Sequence, residues 1–261
     1  MSTRDAVVAL VPAAGRGVRL GARRPKALVP VLGESLLVRS LRGLLDAGCV
    51  QRVVVAAPED ELPAVTAETA SLPAVDVVAG GADRTDSVRR ALAAAEHIVP
   101  EAGIALVHDA ARAFTPVSVI SDVVDAVRAG SPAVVPVLPV SDTIKRVDGE
   151  GVVTGTVDRA PLRAVQTPQG FAVDVLRAAY AGAEDAASDD AGLVEATGQP
   201  VTTVDGDPRA LKITTAFDLA IAESVLAVPG DQTADDPAHD RADNPADQRA
   251  DERSRAEERT R

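Results

Sequence analysis

Short β-branched runs alternate with helical stretches along most of this chain, and no other feature constrains its fold as tightly. Ala6 to Val11, Arg52 to Ala57, Val75 to Val78, Ile104 to His108 and Ala133 to Leu138 are nearly continuous in apolar residues, the pattern of strands buried on both faces. Between them, Ser35 to Asp46, Glu59 to Ala70, Thr85 to Ile98 and Val117 to Ala129 carry apolar residues at helical spacing. Strand, helix, strand repeated in this way requires right-handed crossovers and a mostly parallel sheet, so the expected class is α/β. Ligands of such sheets bind beyond the carboxyl ends of the strands.

The segment after the first strand, PAAGRGVRLGARRPK (Pro12 to Lys26), packs three glycines and five cations into one turn-forming stretch. Glycine lets backbone amides at Gly15 and Gly17 approach phosphate oxygens closely, and Arg16, Arg19, Arg23, Arg24 and Lys26 place charge where a polyphosphate would lie. It fits neither the dinucleotide fingerprint, which needs Gly or Ala where Leu20 stands, nor the P-loop, which needs Gly-Lys-Ser/Thr. After the fourth strand, HDAAR puts Asp109 at a strand's carboxyl end, where a carboxylate can hold Mg²⁺ on a nucleotide or merely cap the next turn. Arg112 could meet a second anion. GGADRTDSV (Gly80 to Val88) joins a glycine pair to an Arg and a Ser at a helix start; its amides read a base edge, or it is only a glycine turn.

The alternation breaks after Leu138. Pro139 to Pro161 holds short β-type pieces around Gly-Glu-Gly and predicts a hairpin that leaves the sheet, a lid or an oligomer arm. A strand at Val165 to Thr167, helices from Val173 and near Asp189, strands at Val201 to Val204 and Leu211 to Ile213, and a helix over Ala216 to Leu226 then complete the domain, residues 1–228. Residues 229–261 are a low-complexity charged tail with almost no large apolar residue, expected to be disordered.

A net charge of −12 and 2% aromatic residues argue against nucleic acid as a partner, since phosphate backbones need a basic face and single strands need aromatic platforms. An acidic protein that binds an anion must concentrate its cations locally, as Arg16 to Lys26 does. The one cysteine, Cys49, excludes an internal disulfide and reads as a small buried residue. The absence of a secretory pattern near the N-terminus and of a membrane-length apolar run gives the expectation of a cytoplasmic protein without membrane contact.

Seven motifs in order, PAAGRGVRLGARRPK, GGADRTDSV, VHDAARA, SDTIKR, TVDR, QTPQGF and LKIT, resemble the 2-C-methyl-D-erythritol 4-phosphate cytidylyltransferase family. Members join CTP to a methylerythritol phosphate in the non-mevalonate isoprenoid pathway and release pyrophosphate. The resemblance spans roughly Ala6 to Leu226 and implies a mostly parallel Rossmann-like sheet of the nucleotidyltransferase (GT-A-like) type. It also implies a protruding β-arm, at about residues 139–161, that hooks two subunits into a homodimer.

The resemblance assigns Ala13, Ala14, Gly15 and Gly17 to the CTP loop and makes Arg19 and Lys26 the catalytic pair, with Lys26 also touching CTP. Gly80, Gly81 and Ser87 fall at the cytosine-reading segment, Asp109 at the Mg²⁺ carboxylate, and Ala110 beside the ribose. Arg112, Thr143, Arg159, Thr167 and Lys212 correspond to the sugar-phosphate pocket, with Thr143 and Arg159 arriving on the partner's arm. Ala113 stands where many members have Pro, and Ser188 where Thr is common.

A phosphate monoester, whose second pKa is about 6, needs no general base to attack. The obstacle is repulsion between anions, which fixed cations relieve. Of His97, His108 and His239, only His108 lies near the motifs, and it reads as structural. Ribitol-5-phosphate cytidylyltransferases share most of these motifs. PAAG, VHDAAR and TVDR speak against a molybdopterin guanylyltransferase or a sugar-1-phosphate uridylyltransferase, and a non-catalytic nucleotide-binding scaffold is the alternative from another class.

Overall fold

A computed structural model describes residues 6–13, 25–182 and 189–227. The tail at 229–261, Ser188, and the glycine-rich segment through Arg24, which contains Ala14, Gly15, Arg16, Gly17, Arg19 and Arg23, lie outside the described residues. Contacts divide the chain into Met1–Glu223 and Ser224–Arg261, and the sheet and site described below belong to the first unit.

The parallel half of the sheet follows the sequence pattern closely. Strand β1 (Ala6–Pro12) runs into two short strands, β2 (Pro30–Val31) and β3 (Glu34–Ser35), and then helix α1 (Leu36–Asp46). Ser35 caps that helix, its Oγ accepting from Val38 N at 3.2 Å, which satisfies one of the donors a helix start leaves open. There follow β4 (Arg52–Ala57), a 3₁₀ turn at Glu59–Glu61, α2 (Leu62–Thr69), β5 (Val75–Ala79), α3 (Arg84–Ile98), β6 (Ala102–Val107) and α4 (Val117–Arg128). Strand β1 is parallel to β4 on one side and to β6 on the other, with Leu10 in register with Val54 and Val107. Strand β5 extends the sheet beyond β4, also parallel.

The second half departs from that pattern. Strand β7 (Ala133–Pro139) leads into an antiparallel hairpin, β8 (Ile144–Val147) with β9 (Val153–Val157), that forms its own two-stranded sheet. The expected excursion is therefore present. Its turn is closed by Asp148, whose Oδ1 accepts from the amides of Glu150 and Val152, and by Gly151 at φ +84°. Strand β10 (Arg163–Val165) and then β11 (Gln169–Ala172) run antiparallel to β7, and β11 also pairs antiparallel with β6. The strand expected at Val165 to Thr167 thus ends at Val165, and Gln166 and Thr167 lie between the two strands. Helices α5 (Val173–Gly182) and α6 (Asp190–Ala196), strand β12 (Thr202–Asp205), parallel to β7, and α7 (Ala216–Ala227) follow. The expected strand at Leu211 to Ile213 does not form; that segment belongs to no strand, and its Ile213 N–H donates to the Ala111 carbonyl at 2.9 Å.

Alternation along β1 divides the core. Val7, Ala9 and Val11 pack with Leu37, Leu41 and Leu44 of α1 and Ile120, Val123, Val124 and Val127 of α4. Val8 and Leu10 pack on the opposite face with Val88, Ala91 and Leu92 of α3, Leu176 of α5 and Val194 of α6. Each fully buried Val or Leu contributes about 1.5–3 kcal/mol relative to exposure, so the core rests on many small aliphatics, with Phe171 its largest fully buried side chain. No helix among the described residues is long and apolar enough to cross a membrane.

Candidate active site

Because β1, β4, β5 and β6 are parallel, their carboxyl ends open on one side of the sheet. The chain runs outward from β1 through β4 to β5 and returns to the other flank of β1 with β6, so the switch point lies between β1 and β6. Ala13, Gly80 and Asp109 follow the carboxyl ends of β1, β5 and β6, which brings three of the sequence-predicted segments to one edge.

Asp109 is the hub. Its Oδ2 lies 2.6 Å from the Lys212 ammonium and its Oδ1 3.4 Å from Arg84 Nε. Burial raises the cost of its charge, but Arg84, Lys212 and Arg112 outweigh burial and hold the carboxyl at about 2, so it is ionised at neutral pH. Its amide donates to Thr167 Oγ1 at 3.1 Å, and Thr167 Oγ1 also meets His108 Nδ1 at 3.0 Å. Burial lowers the His108 pKa to about 4, leaving a neutral imidazole locked against a threonine, which suits a structural role. Ala110, beside the hub, is buried.

Arg112 and Lys212 reach this place through long-range contacts. The Arg112 guanidinium donates to the carbonyls of Ala210 at 2.7 Å and Val165 at 3.2 Å, tying the loop after β6 to β10 and to a 3₁₀ turn at Pro208–Ala210. Ile213 bonds Ala111, and so its neighbour Lys212 is delivered to Asp109. The failed strand and the site residue have one explanation: the segment is held by this pairing with the loop after β6.

At the end of β5, the glycine pair is built into a tight turn. Gly80 N donates to the Ala57 carbonyl at 2.7 Å, and Gly81 N to Ser87 Oγ at 3.0 Å. Ser87, fully buried, donates in turn to the Asp83 carbonyl at 2.7 Å. A Cβ on Gly81 would run into the Asp86 side chain, so glycine is required there by packing. The amides of Gly80 and Gly81 are thus bonded within the protein, and Ser87 organises the turn.

Lys26 opens a 3₁₀ turn, Lys26–Leu28, and is half-buried. Thr143 and Arg159 are exposed and flank the hairpin, with the Arg159 guanidinium donating to the Ser141 carbonyl. Neither is among the residues bonded around Asp109.

Sequence reasoning passed over the buried support of the hub. Arg84 Nη2 lies 2.6 Å from Asp190 Oδ2, and the Tyr180 hydroxyl donates to Asp190 Oδ1 at 2.5 Å; Asp190 is fully buried. The acidic pair Asp189-Asp190 was visible only as a helix start. Nothing local marks one of the two as the partner of an arginine 106 positions away.

An ionised carboxylate ringed by cations at the switch point of a largely parallel sheet defines a protein of the α/β nucleotidyltransferase class. The sequence profile of the family described as IspD, 2-C-methyl-D-erythritol 4-phosphate cytidylyltransferase, matches residues 7–228. The chain is 72% identical over 222 residues to a protein of that name from Saccharopolyspora erythraea, covering 85% of this chain and 99% of the relative. A namesake from Nocardia farcinica is 60% identical over 220 residues, covering 84% of this chain and 94% of the relative. The crystal structure of 2-C-methyl-D-erythritol 4-phosphate cytidylyltransferase from Thermus thermophilus superposes with a TM-score of 0.70 at 39% identity, over 85% of this chain and all of that one. At 24% identity, a 4-diphosphocytidyl-2C-methyl-D-erythritol synthase from Anaerococcus prevotii shares the fold, with a TM-score of 0.74 over 86% of this chain and 99% of that one. The chain belongs to the 2-C-methyl-D-erythritol 4-phosphate cytidylyltransferase family.

Proposed function

We propose that this enzyme transfers the cytidylyl group of CTP to 2-C-methyl-D-erythritol 4-phosphate, forming 4-diphosphocytidyl-2-C-methyl-D-erythritol and releasing pyrophosphate. The observation that carries the reading is the 72% identity across 222 residues, joined by a family profile whose match, residues 7–228, includes every motif around the Asp109 hub. An oxygen of the sugar phosphate attacks the α-phosphorus of CTP, and the bond to the bridging oxygen of pyrophosphate breaks. The attacking phosphate is largely dianionic at neutral pH, so no proton has to be removed. That agrees with a site whose one nearby imidazole among the described residues, His108, is buried, neutral and bonded to Thr167.

The work left to the protein is electrostatic. Arg19 and Lys26 are the cations assigned to the α-phosphate and the departing pyrophosphate. Arg112 and Lys212 are assigned to the incoming sugar phosphate; Lys212, paired with Asp109 at 2.6 Å, is 45% exposed and so open to a ligand from solvent. Asp109 is the residue that would hold a divalent cation such as Mg²⁺, and its depressed pKa fits, since a metal ligand must be deprotonated. Among the described residues no group of three or more His, Cys, Asp and Glu could hold a metal ion. When bound, that ion supplies charge neutralisation to the triphosphate.

The same reading makes the enzyme a cytoplasmic homodimer, with the β8–β9 hairpin reaching a second copy. Val147, Val152 and Val153 of the hairpin are 54–57% exposed, apolar surface that such a partner would cover. Residues 1–228 then form the catalytic domain, and 229–261 a solubilising tail. The test is pyrophosphate release with CTP and Mg²⁺, offering methylerythritol phosphate and ribitol 5-phosphate separately. Turnover with the first is expected. Activity with neither sinks the proposal, and preference for ribitol phosphate reassigns the substrate.

A further inference from the structure

The ionic chain behind Asp109 runs through three helices and does more than fill space. Arg84, the first residue of α3, divides its guanidinium between two carboxylates: Nη2 lies 2.6 Å from Asp190 Oδ2, and Nε 3.4 Å from Asp109 Oδ1. Asp190 has no exposure at all, and its second oxygen accepts from the Tyr180 hydroxyl at 2.5 Å. The Arg89 guanidinium lies 5.9 Å from the Tyr180 ring centroid, and Tyr180 is 4% exposed. The start of α6 is fixed as well: Gln169 Nε2 donates to Asp189 Oδ2 at 2.8 Å, and Ala191 N to Gln169 Oε1 at 2.9 Å. Asp190 therefore cannot follow Arg84 if the arginine moves.

The two cations on Asp109 differ in this respect. Lys212 reaches it at 2.6 Å on a flexible, 45% exposed side chain, whose compact ammonium can exchange the carboxylate for a phosphate. Arg84 is anchored at its far end by a buried carboxylate, and a planar guanidinium so held has little freedom at its near end. We propose that Asp190 and Tyr180 are positioning residues, which clamp Arg84 so that the Asp109 carboxylate stays in one orientation when Lys212 leaves it and the metal–nucleotide arrives. The proposal rests on the cytidylyltransferase reading, because it gives Asp109 a metal–nucleotide to receive. A merely structural role for the same ion pair would lower stability and leave the site's response to Mg²⁺ unchanged.

The experiment uses the full chain and the variants Asp190→Asn, Tyr180→Phe and Arg84→Lys. Calorimetric titration with CTP at increasing Mg²⁺ gives the Mg²⁺ concentration at which CTP binding is half-developed, and thermal melting and steady-state kinetics accompany it. Asp190→Asn is expected to raise that concentration at least about fivefold and to lower kcat about tenfold, with KM for methylerythritol phosphate within about twofold. Tyr180→Phe, which keeps the ring and loses one hydrogen bond, should show the same pattern more weakly. Because Asp190 acts through Arg84, adding Asp190→Asn to Arg84→Lys should cost little more than Arg84→Lys alone. A lower Tm with unchanged Mg²⁺ dependence in both Asp190→Asn and Tyr180→Phe overturns the proposal, as do fully additive effects. Should the wild type bind Mg²⁺ and CTP but release no pyrophosphate, the cytidylyltransferase reading fails, while the titrations still decide the role of Asp190.

Discussion

Ser87 and His108 show how a residue's chemistry is set by what its polar atoms already hold. The Ser87 hydroxyl accepts from Gly81 N and donates to the Asp83 carbonyl, so its loss leaves the half-buried Gly81 amide without this partner, while the Asp83 carbonyl keeps the Ser87 N–H at 3.0 Å. Ser87→Ala is expected to raise KM for CTP several-fold while kcat at saturation stays within about threefold, which initial-rate measurements check; an unmoved KM would detach the turn from nucleotide binding. His108 gives a pH signature. It takes up its proton near pH 4 in the fold against 6.5 when unfolded, so between those values the unfolded chain binds more protons and stability falls as pH falls. Asp109, next to it, opposes this by favouring the charged ring, and Arg112 adds to it. The shift caps the loss at about 3 kcal/mol. In melting curves from pH 7 to pH 4.5, the Tm of His108→Asn should decline less steeply than that of the wild type, and parallel declines would acquit the histidine. If Lys26 and Arg19 act on the reacting phosphates as proposed, Lys26→Ala and Arg19→Ala should each lower kcat at least about a hundredfold with modest change in CTP affinity. An unchanged kcat in either variant removes that residue from the mechanism.

At the scale of elements, the parallel strands and their helices were legible because each is its own hydrophobic pattern. Val53, Val54 and Val55 of β4 are fully buried, as an uninterrupted apolar run predicts for a strand covered on both faces. Strand β11 had no such signature. Gln169 and Gly170 give it neither alternation nor an apolar run, and it is a strand because its backbone fills the place between β6 and β7. Its glycine is fixed by close approach: a Cβ at position 170 would lie 2.5 Å from Val123 Cγ1, 3.2 Å from Val127 Cγ2 and 3.3 Å from Leu106 Cδ2. Gly170→Ala should therefore destabilise the fold by about 1–3 kcal/mol through overpacking against α4, read as a lower midpoint in urea unfolding. An unchanged midpoint would mean that α4 yields to the extra methyl. The opposite error, a strand expected at Leu211 to Ile213, arose because a short apolar run is compatible with a strand but cannot supply a partner.

For the whole molecule, the arm decides whether one chain suffices. If Arg159 serves the site of a second copy, a mixture of Arg159→Ala and Asp109→Asn subunits contains hybrid dimers with one site free of both changes. Reassociated in equal amounts, the mixture should recover about a quarter of wild-type activity, from statistical pairing in a two-fold dimer. No gain over the separate variants would place both residues in one chain's site. What the sequence by itself determined is the set of groups whose meaning is local or ordered along the chain: the parallel strands and helices, the hairpin after Leu138, and the succession of motifs that marks the family. What only the tertiary structure decided is which of those groups meet. Lys212 stands 103 positions from Asp109 and Arg84 stands 106 from Asp190; the first pair exists because the segment around Ile213 bonds to the loop after β6, and the second because the starts of α3 and α6 meet at the same edge of the sheet. Hydrophobic periodicity encodes which face of an element is buried, but a contact between distant side chains depends on strand order and register. Those are set by the packing of the whole sheet, not by any stretch of the chain.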